Sequence, residues 1–161
     1  MDIVNSEFIL FLNCAKQNQL RYMCIGGYAV NYYGYHRYTQ DMDIWIGPSN
    51  ENKVAFINTL VCMGYSEADI AIIRDEDFTK HFKCSLGELP DIIDVLTVIH
   101  RDIHFDDAEK KIEFFKLNES TEIPIIPYEF LKEAKIRAGR YRDLEDIAKL
   151  ELIRNQLKSP K

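Results

Sequence analysis

One segment near the start of the chain restricts the fold more than any other, because it changes from strand to helix at a pair of glycines. The apolar run at residues 20–25, LRYMCI, predicts a buried strand that ends at Gly26 and Gly27. Residues 28–34 then predict a short helix, and residues 40–47 alternate in the manner of a second strand. The segment therefore predicts a sheet with helices packed against it.

The rest of the chain continues this mixture of strands and helices. We predict helices near 5–17, 48–64, 127–139 and 141–157, strands at 80–86 and 91–99, and short extended pieces at 112–117 and 121–126, with 66–78 open between helix and loop. The two longer strands predict a hairpin. On the last helix, the apolar spacing predicts an inward face made of Leu144, Ile147, Ala148, Leu150, Leu152 and Ile153. The expected class is α/β (α+β), a small mixed sheet flanked by helices, with helices at the C-terminal end.

Length and composition predict one domain over 1–161, with a core at about 20–100 and a mainly helical part at about 105–161. A net charge of −6 argues against broad binding to nucleic acid or to an anionic membrane. No apolar run approaches the roughly 20 residues that span a bilayer. Four cysteines among apolar neighbours, without a CxxC pair, predict free thiols. We therefore expect a cytoplasmic protein that does not bind membranes.

Asp41 and Asp43 are unusual because they interrupt an otherwise apolar strand. Alternate side chains of a strand share a face, so the two carboxylates are expected to project together. Two adjacent carboxylates repel one another unless a cation lies between them, and oxygen ligands on a rigid strand suit Mg²⁺ or Mn²⁺. Asp94 is a charge among apolar neighbours on a later strand and would supply a third ligand. Asp91 competes with it, but hydrophobic residues flank Asp94 on both sides.

The glycine pair suits a phosphate, because glycine lets the backbone approach closely and the start of a helix presents free N–H groups. A phosphate site, paired aspartates and a third carboxylate together describe metal-dependent phosphoryl or nucleotidyl transfer.

These residues also carry a resemblance to a known group of proteins. The order IGG, thirteen residues, DMDI and a distant IDV resembles the signature of the DNA polymerase beta-like nucleotidyltransferase superfamily. The longer stretch GGYAVNYYGYHRYTQDMDIWI is similar to small bacterial nucleotidyltransferases of the abortive-infection toxin type, in which Arg-x-Thr precedes the DxD. The closing segment LKEAKIRAGRYRDLEDIAKLE resembles the same group, with Arg142 where a lysine is more usual. The similarity covers about residues 20–155.

The resemblance implies a minimal nucleotidyltransferase fold and assigns roles to the motif residues. Gly26 and Gly27 would hold the phosphates of a nucleotide. Asp41 and Asp43 would bind metal, and Asp94 would bind a second ion and accept the proton of the acceptor.

Basic residues near the two motifs are further candidates for binding the nucleotide. Arg37 and Thr39, just before the DxD, would support the triphosphate or the strand that carries the metal ligands. Lys135, Arg140 and Arg142 would supply positive charge to the triphosphate. The alternative for these three is a solvated helix face that pairs with Asp143, Glu145 and Asp146.

The sequence therefore predicts a Mg²⁺- or Mn²⁺-dependent, NTP-using nucleotidyltransferase that transfers an NMP to an acceptor hydroxyl and releases pyrophosphate. The resemblance leaves the acceptor open among tRNA, a protein and a small antibiotic. Because the chain has no room for a large acceptor-binding domain, we expect the acceptor to be small, or to be held by a cognate partner protein or by a second subunit of a homodimer. The alternative is a catalytically silent nucleotide-binding or interaction module of a toxin–antitoxin type system.

Overall fold

A computed structural model describes residues 6–158 of the chain, so the predicted helix start at residue 5 and both ends of the predicted domain lie outside the described residues. Within this part the protein is a mixed α/β structure of seven helices and one six-stranded sheet, which confirms the predicted class. The helices are α1 (Ser6–Gln17), α2 (Gly26–Tyr32), α3 (Asn50–Cys62), α4 (Glu67–Arg74), α5 (Phe105–Glu109), α6 (Tyr128–Ala138) and α7 (Tyr141–Lys158). The strands are β1 (Tyr22–Cys24), β2 (Met42–Ile46), β3 (Lys83–Leu86), β4 (Ile93–Leu96), β5 (Glu113–Lys116) and β6 (Glu122–Ile125).

The strands lie in the order β3-β4-β2-β1-β6-β5. β2 is parallel to β4, and β1 is parallel to β6, while the other three neighbouring pairs are antiparallel. The predicted hairpin is confirmed by the antiparallel pairing of β3 with β4. The two extended pieces of the C-terminal part are β5 and β6, and β6 joins the sheet beside β1. Among the described residues, no helix is both long and apolar enough to cross a membrane.

β2 lies in the middle of the sheet and is covered on both faces. Met42, Ile44 and Ile46 are fully buried on one face, and Trp45 is buried on the other, where its indole N–H donates to the carbonyl of Thr97. Asp43 is the one residue of this strand that is only half-buried. The sheet therefore opens toward solvent along β2 only where it carries a carboxylate.

Local signals account for several helix ends. Ser49 caps α3 by accepting a hydrogen bond from the backbone N–H of Asn52, and α6 begins after Pro127 and ends at Gly139, whose φ is +64°. Segment 66–78, for which the sequence did not decide between helix and loop, contains α4. This helix begins where Ser66 and Asp69 form a reciprocal capping box.

The inward face predicted for α7 is partly wrong. Leu150 is buried, but Leu144, Ala148 and Leu152 are exposed. Asp143 and Asp146 are buried in their place, on the same helical face as Leu150. The helix adopts this rotation because both aspartates bind cations in the interior, as described below.

The prediction of free thiols is wrong for two of the four cysteines. Cys14 of α1 and Cys62 of α3 form a disulfide, while Cys24 is free and buried and Cys84 is free and half-buried. The two bonded residues are 48 positions apart and meet because α1 packs beside α3. Disulfides are rare in the reducing cytoplasm, so this bond gives no support to the predicted cytoplasmic location, which stays a prediction.

Candidate active site

The turn between β1 and α2 brings two glycines against polar side chains. Gly26 has a φ of +62°, and a Cβ built on it would lie 1.9 Å from Oδ2 of Asp43. A Cβ on Gly27 would lie 2.3 Å from Oγ1 of Thr39. Only glycine therefore permits this approach, and the Asp43 carboxylate accepts a hydrogen bond from the backbone N–H of Gly27.

Asp43 and Asp94 are partners in the parallel register between β2 and β4. Register partners point to the same face of a sheet, so the two carboxylates are neighbours on one face. Burial raises the pKa of Asp43, and the charges of Asp94 and Asp41 raise it further. Asp41 lies one residue before β2 rather than within the strand. The sequence-based preference for Asp94 over Asp91 thus agrees with the position of Asp94 beside Asp43. Asp41 lies outside the strand, so the alternation of strand side chains does not determine where its carboxylate points.

The donor set fits a divalent cation only in part. Among residues 6–158, no group of three or more His, Cys, Asp or Glu side chains is arranged to hold a metal ion. The expected trio is therefore not preformed. Mg²⁺ is commonly held by one or two carboxylates, with water and substrate phosphates completing its coordination. The pair of Asp43 and Asp94 fits that requirement, and a cation would relieve the repulsion that raises the pKa of Asp43.

Two residues of the edge strand β3 also reach this carboxylate face, and sequence reasoning missed both. Ser85 is the register partner of Asp94 and donates its hydroxyl hydrogen to Oδ1 of that residue. The Nζ of Lys83 lies 3.8 Å from Oδ2 of Asp94. The sequence pattern that could have indicated them is the alternation of residues 83–86, which places Lys83 and Ser85 together on the face opposite Cys84.

A cleft of about 240 Å³ opens beside Asp43. Its lining includes four of the predicted site residues together with Lys83: Gly26, Asp43, Lys135 and Arg140. The remaining wall is mostly apolar and includes Leu96, Ile99, Ile126 and Leu131. The cleft thus combines two carboxylates, the partly buried Asp43 and the buried Asp143, with three cationic side chains.

Two of these cations belong to a charge network that consists of Arg37, Lys135, Arg140, Asp143 and Asp146. We call it the buried charge network because Lys135 and both aspartates are buried, although the side chain of Arg140 is exposed. Lys135 Nζ donates to Asp143 at 2.9 Å and to Asp146 at 2.7 Å. Arg37 donates to both oxygens of Asp146, at 2.7 and 2.9 Å, and Arg140 Nε donates to Asp143 at 2.6 Å. The predicted pairing with Asp143 and Asp146 is therefore present, but Lys135 and both aspartates are buried rather than solvated.

The network keeps its carboxylates ionised. Burial opposes the charge of Asp143 and Asp146, but hydrogen bonds from Arg140 and Lys135 to Asp143, and from Arg37 and Lys135 to Asp146, outweigh it. The pKa of each aspartate consequently lies below its usual value. Three cations against two carboxylates leave one surplus positive charge beside the cleft.

The remaining predicted residues hold the chain segment that leads into β2. Arg142 donates to the carbonyl of Tyr38 at 3.0 Å, and the hydroxyl of Thr39 lies 3.4 Å from the carbonyl of Asp41, to which it donates. Arg37 donates to the carbonyl of Tyr38 as well. These contacts fix the backbone just before the two aspartates, and the predicted roles of Arg37, Thr39 and Arg142 in binding nucleotide stay predictions.

Comparison of the sequence with models of known protein families gives no match. A search among curated proteins gives no match either. The resemblance to nucleotidyltransferases therefore rests on the motif residues themselves.

Proposed function

We propose that this protein is a metal-dependent nucleotidyltransferase that moves an NMP from an NTP to an acceptor hydroxyl. The observation that carries the proposal is the side-by-side register of Asp43 and Asp94, of which Asp43 lines a cleft together with three cationic side chains. Paired carboxylates suit a divalent cation, and the cationic wall suits the triphosphate that such a cation accompanies.

Each group of residues has a separate task in this proposal. Asp43 and Asp94, with Asp41 beside them, would hold Mg²⁺ or Mn²⁺, which would stabilise the charge that develops on the phosphates. The surplus charge of the buried charge network attracts the triphosphate into the cleft. Gly26 and Gly27 bring the backbone next to Asp43, and we propose that their backbone contacts the phosphates of the nucleotide.

The transfer is balanced without any further reagent. The acceptor oxygen forms a bond to the α-phosphorus, and the bond between that phosphorus and the bridging oxygen to the β-phosphate breaks. The bonding electrons leave with pyrophosphate, and the hydroxyl proton passes to the Asp94 carboxylate or to water. The proposed acceptor is a small molecule, tRNA or a protein.

The test is release of pyrophosphate from each of the four NTPs with Mg²⁺ or Mn²⁺, in the presence of bulk tRNA, aminoglycosides or lincosamides. We expect Asp43→Asn and Asp94→Asn to abolish transfer, and Asp94→Asn to leave NTP binding largely intact. Asp91→Asn is the matched control, because Asp91 lies three residues earlier, before β4, and we expect it to retain activity. Undiminished turnover by Asp43→Asn would overturn the proposal.

A second candidate is a catalytically silent module of a toxin–antitoxin type system. It is favoured by the absence, among the described residues, of a preformed group of three metal ligands. The same assay separates the two candidates. Thermal stabilisation by an NTP without pyrophosphate release would favour the silent module, whereas release that depends on Asp43 favours the enzyme.

A further inference from the structure

The edge strand β3 contributes a cation to the cleft that no motif indicated. Lys83 lines the cleft together with Gly26 and Asp43. It shares a face of the sheet with Ser85, the register partner of Asp94, so its side chain reaches the carboxylate of Asp94 from the edge of the sheet. Lys83 therefore lies where a ligand that enters the cleft would meet it.

Lys83 differs from the other cations of the cleft in how firmly it is held. Lys135 and Arg140 each make a hydrogen bond to a buried carboxylate, at distances from 2.6 to 2.9 Å. Within residues 6–158, the ion pair of Lys83 is the one to Asp94 at 3.8 Å, which is longer than a hydrogen bond. Its side chain is 58% exposed, against 8% for that of Lys135. The side chain of Arg140 is also exposed, at 78%, and differs from Lys83 in its short hydrogen bond to Asp143.

This difference decides which cation is available to a ligand. An exposed and loosely paired ammonium group loses little when it leaves its partner. A cation that leaves a buried carboxylate exposes an uncompensated charge, so Lys135 and Arg140 are held in place. Lys83 also has a flexible stem and three donors, which suit the oxygens of a phosphate chain.

We infer that Lys83 binds the phosphate chain of the nucleotide, its ammonium group moving from Asp94 to the phosphate oxygens. The inference rests on the proposed function, since it concerns the nucleotide of the same site. In this arrangement Lys83 moves to contact the phosphates. The cations of the buried charge network stay in place and supply positive charge along the side of the cleft.

The test measures binding rather than turnover. Isothermal titration with α,β-methylene analogues of the four NTPs, in MgCl₂, gives Kd for the wild type, Lys83→Met and Lys83→Arg. We expect Lys83→Met to raise Kd about tenfold, the usual scale for a hydrogen bond between charged groups, and Lys83→Arg to stay within about twofold. Affinity for the nucleoside without phosphates is expected to be equal in all three, and melting temperatures check that each variant is folded.

Lys116→Met is the matched control, because Lys116 is an exposed lysine on β5, the opposite edge strand. We expect it to bind as the wild type does. Equal affinity of Lys83→Met and the wild type would overturn the inference and leave the proposed function intact. Failure of the wild type to bind any analogue would overturn both.

A second arm asks whether Lys83 acts only by neutralising Asp94. Lys83→Met is compared with its parent in an Asp94→Asn background, where the carboxylate that pairs with Lys83 is no longer charged. A direct phosphate contact predicts that the tenfold loss persists. Disappearance of the loss would show that Lys83 acts through Asp94 alone, and the inference would fall.

Discussion

Gly26 is subject to two separate constraints. Its φ of +62° lies in the left-handed region, which costs an L-residue about 1–2 kcal/mol. The space where a Cβ would lie is also occupied by the Asp43 carboxylate. A side chain at this position would therefore strain the backbone and displace the carboxylate at the same time.

We predict that Gly26→Ala lowers the free energy of unfolding by about 3 kcal/mol, because overpacking adds to the backbone strain. Gly139→Ala is the control. Its φ of +64° imposes a similar strain, but the nearest atom to a Cβ there would be the carbonyl oxygen of Ile136 at 3.7 Å, an ordinary contact. Urea denaturation of the two variants measures the difference, and equal losses would show that Asp43 moves aside at little cost.

At this scale the sequence was informative where a residue conflicted with its neighbours. Asp94 could be preferred over Asp91 because an ionisable group amid apolar residues needs a local reason. Lys83 and Ser85 conflict with nothing, since polar side chains on the open face of an edge strand are ordinary. Their importance depends on the register of the hairpin, which places Ser85 opposite Asp94.

Among the elements, α6 and α7 are joined to the segment before β2 through Asp146. This carboxylate accepts from Lys135 on α6 and from Arg37 in the segment before β2, and it is almost wholly buried. Removal of one member of a buried ion pair leaves an uncompensated charge, which is more costly than the pair is favourable.

We predict that Asp146→Ala lowers the free energy of unfolding by about 3–5 kcal/mol, because it leaves Arg37 and Lys135 short of a partner. Glu145→Ala, at the neighbouring exposed position of α7, is expected to change it by less than about 0.5 kcal/mol. Chemical denaturation at neutral pH measures both. A loss below about 1 kcal/mol for Asp146→Ala would mean that water replaces the carboxylate.

The same network explains why the predicted face of α7 was partly wrong. Apolar spacing alone favours Leu144, Ala148 and Leu152 as the inward side, and it assigns charged residues to the solvent. The cations that reverse this assignment, Arg37 and Lys135, are about 109 and 11 positions from Asp146 along the chain. A periodicity of one helix carries no information about such partners.

For the whole molecule, the low pKa values of Asp143 and Asp146 link stability to pH. Their folded pKa lies below the usual value of 3.8, so their stabilising contribution is complete above that value and is lost as the pH falls through the folded pKa. The fold is therefore expected to weaken in acid below about pH 4.

We predict that Asp143→Asn costs about 2 kcal/mol at pH 7, the scale of hydrogen bonds to charged groups, and less at pH 3. The neutral amide does not titrate, so the curve of unfolding free energy against pH is expected to be flatter for the variant. Urea denaturation across pH 2.5–7 tests this. Parallel curves for the variant and the wild type would mean that Asp143 is not the source of the acid sensitivity.

The overall class followed from the alternation of strands and helices, but the order of the strands did not. β6 lies parallel to β1 although about 100 residues separate them, and β4 crosses back to pair with β2. Parallel pairing of distant strands leaves no local pattern in the sequence, unlike the hairpin of β3 and β4, whose connection is short. The pairing of Cys14 with Cys62 was hidden for the same reason.

That disulfide has a topological effect. It closes a covalent ring that contains β1, α2 and β2, so the glycine pair, Asp41 and Asp43 lie inside the ring, while Asp94 and Lys83 lie outside it. A protease that cleaves one peptide bond between residues 14 and 62 therefore releases no fragment while the sulfur bridge persists. The half of the site that lies within the ring stays tethered to the half outside it after the main chain has been cut.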